Sequence, residues 1–312
     1  MSATSALAGG AAPGLAEDVL RPDRRSRVGW MGWIFLLPAL VFYVAFVLLP
    51  LVRAFQYSFY DWNGVSVATP VGFQNYITVF TDPQLFGSVL HAFFLIIFFT
   101  LLPLIGAILV SSLLREIKTR WIGTTSRTLL FMPQVIPGAA AALAWTWMFS
   151  TNGLVNQILR AVGLGDYARA WLGDFTWALP SVGVIGFWIN MGFCIVLLLA
   201  GIGQIDESIY EAARLDGAGF FRTLFAVTLP GLRQQIGVAT TMTIISALAS
   251  FDIVFMSTQG GPGYSTMVPG VLVYQLAFTQ SRVGMGAALA IILTLLVLLV
   301  IIPLQRIFNR ED

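Results

Sequence analysis

The sequence predicts an all-α polytopic membrane protein with six transmembrane helices, both termini cytoplasmic, and a short cytoplasmic helix between the fourth and fifth. Three observations carry this reading. Of 312 residues, 57% are hydrophobic and only 10% charged, whereas soluble proteins carry charge on about a quarter of their residues. Apolar runs of roughly 20 residues, the length that crosses a bilayer core, recur along the chain. Basic residues concentrate on alternate connections between those runs.

Residues 1–29 are read as a disordered, basic cytoplasmic N-terminus. The first twenty are rich in Ala, Gly and Ser without periodicity, and Arg21, Arg24, Arg25 and Arg27 follow. A cleaved signal peptide has an apolar core of about 7–15 residues. The run Trp30–Val52 is longer, so it is expected to be a retained helix opening a transmembrane domain over residues 30–312. The other spans are expected at Phe86–Leu113, Thr128–Phe149, Trp177–Gly203, Leu229–Ile253 and Val283–Ile302. Pro133 and Pro137 interrupt the third near Gln134, because proline removes a backbone donor and kinks a helix. The fifth is the most polar, diluted by Thr240, Thr241, Thr243, Ser246 and Ser250.

Orientation follows from charge. Thirteen basic residues fall on one set of ends and connections: those near the N-terminus, Arg115–Arg127, Arg214–Arg233, and Arg306 with Arg310. The other set holds four: Arg53, Arg160, Arg169 and Arg282. The more basic set is cytoplasmic by the positive-inside rule. The connections Arg53–Leu85 and Ser150–Thr176 then face outward, beside interface aromatics such as Trp62, Trp145, Trp171 and Trp177.

Several chemistries are excluded. The single lysine, Lys118, follows isoleucine, so no phosphate-binding G-x-x-x-x-G-K-[ST] loop exists. No G-x-S-x-G nucleophile turn is present. One cysteine, Cys194, and one histidine, His91, leave no disulfide within the chain and no zinc site. Asp252 is the one acidic residue inside the spans, too few for paired carboxylate chemistry. An ion-coupled secondary transporter or channel subunit is the rival reading. Such proteins place ionisable groups near the midplane and often show internal repeats. Here Asp252 and His91 lie toward the outer ends of their spans, and no clear repeat is present.

The stretch that organises the chain is Gln204–Pro230. Glu211-Ala212-Ala213 is followed, after three intervening residues, by Gly217 and, after nine more, by Val227-Thr228-Leu229-Pro230. The spacing reads as helix, break, second short helix, then entry into a span. Asp206 suits the N-cap and Gly217 the left-handed C′ position. Ile205, Ile209, Ala212 and Ala213 make a narrow apolar face. By charge alone, Glu211 reads as a solvated residue pairing with Arg214 at i+3.

These residues resemble the cytoplasmic EAA loop of permease subunits in ATP-driven ABC importers. A second stretch, Phe251-Asp252 through Gln259-Gly260-Gly261-Pro262-Gly263 to Ser265-Thr266, resembles a segment of the carbohydrate-uptake class, the maltose and glycerol-3-phosphate type. The resemblance implies a non-catalytic subunit in the bacterial inner membrane that moves a sugar or related polyol. It implies four kinds of contact: a second permease subunit of like fold, two ATPase subunits that carry the ATP-Mg, an external solute-binding protein, and lipid. Neither a cofactor of this chain's own nor nucleic acid is expected. Glu211, Ala212, Ala213, Asp216, Gly217, Leu229 and Pro230 would then couple the chain to the ATPase.

Two polar stripes are candidates for the substrate path. Gly186, Asn190 and Phe193 share one face of the fourth span; Thr243, Ala247 and Ser250 share one face of the fifth. Each alone reads as helix packing. Counted from the EAA motif, these residues and Ile189 match positions that line the sugar cavity in maltose-type relatives.

Overall fold

The computed structural model describes residues 30–117 and 120–308, and the N-terminal segment read as disordered lies outside them, as does Lys118. Contacts divide the chain at Val52. The first unit is the helical stretch α1 (Trp30–Tyr43), a π-helical turn over Val44–Leu48, and the start of α2 (Leu49–Tyr57). Its described side chains from Phe35 to Val52 are exposed and almost all apolar.

The second unit is helical apart from a two-residue antiparallel pair, β1 (Tyr60–Asp61) with β2 (Thr69–Pro70). Two short helices follow, α3 (Gln74–Thr81) leading into α4 (Pro83–Ile96). Asp82 caps α4 by accepting from the backbone N–H groups of Gln84 and Leu85, with proline at the first turn where its missing donor costs nothing. A π-helical turn over Ile97–Leu101 joins α4 to α5 (Leu102–Glu116).

The expected third span is broken. α6 (Arg120–Val135) and α7 (Gly138–Met148) meet at 98°. The break falls at Ile136–Pro137, and Pro133 stays inside α6, so of the two prolines only the second makes the corner. An outer connection carries α8 (Leu154–Ala161). Its organiser is the buried Asn156, whose amide donates to the carbonyls of Ser150 and Arg169 and accepts from the Trp171 indole.

The long α9 (Ala178–Ile202) runs against α5 and α6. Then come α10 (Glu207–Leu215), α11 (Phe220–Thr223), a π-helical turn over Leu224–Thr228, and α12 (Leu229–Gly231). The helix α13 (Arg233–Leu248) packs on α4 and on α16 (Val283–Phe308). Between them, α14 (Asp252–Ser257) lies against α7, and α15 (Pro269–Tyr274) against α16.

Among the described residues, four helices are long and apolar enough to cross a membrane: Phe35–Tyr57, Pro83–Glu116, Ala178–Ile202 and Val283–Phe308. The bent pair Gly123–Val135 and Gly138–Met148 makes five if it counts as one span. The sequence's fifth span, Leu229–Ile253, is where structure and expectation differ. It is interrupted at Leu232, and its main helix has 16 residues, fewer than the roughly 20 that a spanning helix needs. Two of the hydroxyls that dilute it bond their own helix: Thr240 Oγ1 donates to Ile236 O, and Thr243 Oγ1 to Ala239 O.

Two larger apolar cores, beside a smaller one of Ala92, Ile244, Leu248 and Ile301, hold the second unit. One gathers Leu95, Phe99, Val182, Ala247, Leu272 and Leu289. The other gathers Ala107, Cys194, Ile195, Leu198, Leu232 and Ala239. Large apolar side chains such as Leu298, Leu299 and Ile302 on α16 remain outward, as a bilayer allows and water does not. The chain is a multi-pass membrane protein.

Candidate functional site

Two places in the second unit concentrate polar and charged groups: the α10 region and a cavity between α9 and the α13–α14 corner. α10 is closed at both ends. Asp206 accepts from Ser208 N at 2.9 Å, and that bond holds its carboxyl below the usual aspartate range. Gly217 has φ +72°, and the N–H groups of Gly217 and Ala218 return to Arg214 O and Ala213 O. Only glycine takes that left-handed turn without steric cost.

The face that α10 buries is not the one its sequence pattern indicates. Tyr210, 1% exposed, is the inward anchor, while Ile209 and Ala212 point outward and Ala213 is half-buried. Glu211 is exposed and makes no ion pair among the described residues. Arg214 leans instead toward Glu116 and Glu207, both at 3.8 Å. Asp216 is exposed at the C-cap, Leu229 is half-buried, and Pro230 is exposed in the first turn of α12. Hence Glu211, Ala212, Asp216 and Gly217 form one outward surface, with Ala213 at its edge and Leu229-Pro230 at the entry to α13.

The cavity is about 260 Å³ and open on one side; Phe99, Gly138, Ile189, Asn190, Ser246 and Ser250 are among its lining residues, with Asp252 beside them. Asn190 donates its amide to Gly186 O at 2.9 Å, leaving its amide oxygen to accept. The Ser250 hydroxyl is buried without a hydrogen-bond partner among the described residues. An amide, two serine hydroxyls, a carboxylate and the Phe99 ring form a surface that can exchange hydrogen bonds with a polyhydroxyl solute and cover its apolar face.

Of the expected path residues, Ile189, Asn190 and Ser250 line this cavity. The other four do not. Gly186 is filled over by the Phe99 ring. Ala247 and Thr243 are fully buried in helix packing, and Phe193 packs on the second core. Asp252 opens α14 and lies beside Gly138, the first residue of α7. Sequence reasoning left it without a role; the pairing of α14 with α7 is a long-range contact that no local pattern encodes. His91 is tied down by a 2.8 Å hydrogen bond between Nδ1 and Met267 O. Among the described residues no cluster of His, Cys, Asp and Glu could hold a metal ion.

Comparison with known proteins follows this geometry. The family described as "binding-protein-dependent transport system inner membrane component" matches residues 104–311. The chain belongs to this family. Relatives along nearly the whole length include the probable ABC transporter permease YurN of Bacillus subtilis, 31% identical over 89% of this chain and 95% of that one. The sulfoquinovosyl glycerol transport permease SmoG of Agrobacterium fabrum is 30% identical over 95% and 99%. The diacetylchitobiose uptake permease NgcF of Streptomyces coelicolor is 33% identical over 87% and 80%. Among solved structures, a bacterial ABC transporter for the acidic polysaccharide alginate has the same fold, with a TM-score of 0.78 over 91% of this chain and 96% of that one at 22% identity.

Proposed function

We propose that this chain is one of two transmembrane permease subunits of an ATP-driven importer, carrying a sugar or related polyol across the bacterial inner membrane into the cytoplasm. An extracytoplasmic solute-binding protein delivers the solute, and two ATPase subunits supply the energy. The chain itself then holds neither ATP-Mg nor a catalytic group. Six spans with both ends inside complete the topology: the bent α6–α7 pair serves as the third, and α12 with α13 as the fifth.

One observation carries the reading. α10 is capped at both ends, anchored by one buried tyrosine, and presents Glu211 and Ala212 outward with no side-chain partner among the described residues. A helix this short is marginal on its own in water, so holding it rigid at the surface fits a docking element. Small side chains there let another protein approach closely. The relatives named for diacetylchitobiose uptake and sulfoquinovosyl glycerol transport support a carbohydrate cargo. The cavity near Asn190 and Ser250 is read as this subunit's share of the substrate path.

Reconstitution tests the proposal. The chain alone in liposomes is expected to move no sugar, whatever ion gradient is applied. Together with its permease partner, ATPase and solute-binding protein, uptake is expected and must require ATP. Uptake by the isolated chain on a proton or sodium gradient would overturn it in favour of a secondary carrier.

A further inference from the structure

The end of α5 is joined to α10 by a contact that belongs to no motif. Arg115 precedes the last residue of α5, and its side chain is 12% exposed. Its guanidinium carbon lies 3.2 Å from the centre of the Tyr210 ring, a cation stacked on an aromatic face. The same guanidinium donates to Glu207 Oε2 at 2.7 Å, and to Glu116 Oε1 at 3.3 Å. Tyr210 in turn places its hydroxyl 3.3 Å from Thr228 Oγ1, on the π-helical turn just before Leu229-Pro230. Both Tyr210 and Thr228 are buried. One phenol thus touches the end of α5, the body of α10 and the entry to α13.

The surroundings make this contact matter. α10 stands off from the long helices, joined to them chiefly through side chains, and a cavity of about 280 Å³ lined by Ser112, Arg115, Tyr210, Thr223 and Thr228 lies beneath it. The Arg214 pairs at 3.8 Å involve half-exposed groups, a class that solvent screens. The Arg115 guanidinium is enclosed, planar and held by two different forces, so it resists sideways motion. At its far end α5 continues through the turn Ile97–Leu101, which carries Phe99 into the wall of the polar cavity.

We propose that Arg115 is a positioning residue for energy coupling: stacked on Tyr210 and paired with Glu207, it makes α10 and α5 move as one body, so that displacement of α10 reaches Phe99 and the cavity. The proposal rests on the reading of α10 as the ATPase-docking helix. It requires no substrate contact by Arg115.

The test uses the full complex with permease partner and ATPase, in a Cys194→Ser background. Ser246→Cys, an exposed lining position of the cavity, is labelled with a maleimide with and without a non-hydrolysable ATP analogue. With Arg115 intact, labelling is expected to change severalfold on nucleotide binding. Arg115→Ala is expected to keep ATPase subunits bound while losing most of that change. Arg115→Lys, which keeps the charge but not the flat stack, should fall between, and it decides the matter if Arg115→Ala fails to assemble. Wild-type nucleotide dependence in Arg115→Ala, or in Arg115→Lys where only that variant assembles, would overturn the proposal. Loss of the ATPase from both variants would also overturn it, since the contact would then only build the docking surface. Failure of the docking reading shows separately: Glu211→Ala combined with Gly217→Val would retain the ATPase at wild-type levels.

Discussion

The ring of Phe99 lies against the backbone of Gly186, in the space that a side chain at position 186 would fill. Both residues sit beside the polar cavity, yet only Phe99 faces it. Proximity to the cavity is therefore a poor guide to role, and the two kinds of residue are separable by experiment.

Gly186→Val should act as an overpacking change. Inserting bulk into a filled core costs about 1–3 kcal/mol. The expected result is lower thermal stability in detergent with unchanged solute preference in whatever transport remains. Asn190→Leu should behave in the opposite way. It removes hydrogen-bonding capacity from the cavity, and one bond is worth ~0.5–1.5 kcal/mol, or roughly 2- to 10-fold in uptake. Substrate-independent ATP hydrolysis should persist. Stability loss alone in Asn190→Leu would return that residue to packing.

Topology is checked by labelling in intact cells. In a Cys194→Ser background, Asn63→Cys on the expected outer connection should react with a membrane-impermeant maleimide. Glu211→Cys should react only after the membrane is opened. Both positions are exposed in the chain itself, so in cells that lack the ATPase subunits a failure to label reports the side of the membrane rather than burial. The reverse pattern would place α10 outside and remove it from any ATPase.

Gly217→Ala tests the left-handed turn that closes α10. With φ at +72°, a β-carbon costs about 1–2 kcal/mol, while no neighbouring atom blocks it. The penalty is conformational, so alanine and valine should both weaken ATPase retention, and asparagine, which tolerates this conformation better, should be milder. Equal effects of alanine and asparagine would point to a contact rather than to backbone strain.

The Asp206 cap predicts a pH dependence of defined sign. The Ser208 N–H lowers the carboxyl's pKa in the folded chain, so the cap is fully present above the ordinary aspartate range. It is lost as pH falls through the lowered folded value. Hydrogen exchange of the first turn of α10 should be flat, after correction for intrinsic rates, from pH 7 down to about 5 and rise only below. In Asp206→Asn the acid-dependent part should vanish.

Much of the architecture was readable because hydropathy over about 20 residues reports directly on what a bilayer accepts. The caps of α10 were legible for the same local reason: Asp206 and Gly217 act within a few residues of themselves. Two things were not. A helical stripe says which residues share a face but not what that face meets. Gly186, Thr243 and Ala247 thus share faces with Asn190 and Ser250 in sequence, while in the structure Phe99 and helix packing cover them. Tyr210 was passed over because a single aromatic among polar residues leaves almost no periodic signal. The polar dilution of the fifth span is visible in sequence, but its break at Leu232 depends on how Leu229-Pro230-Gly231 enters the bundle. Likewise Pro133 and Pro137 are equivalent as sequence. Only the second is followed by a new helix pointing elsewhere.

That corner also has an electrical side. A straight membrane helix leaves its partial charges at the two faces of the bilayer, where water absorbs them. A helix that starts afresh after a 98° turn brings a positive end of roughly half an elementary charge to the wall of the cavity at Gly138. Asp252 stands beside it. The side-chain oxygens of Asp252 and the helix end are of opposite polarity, so the cavity wall at Gly138 is locally balanced. On the proposed reading of this cavity as a share of the substrate path, such a wall neither traps cations nor repels weakly polar cargo, and it leaves recognition to shape and hydroxyl pattern.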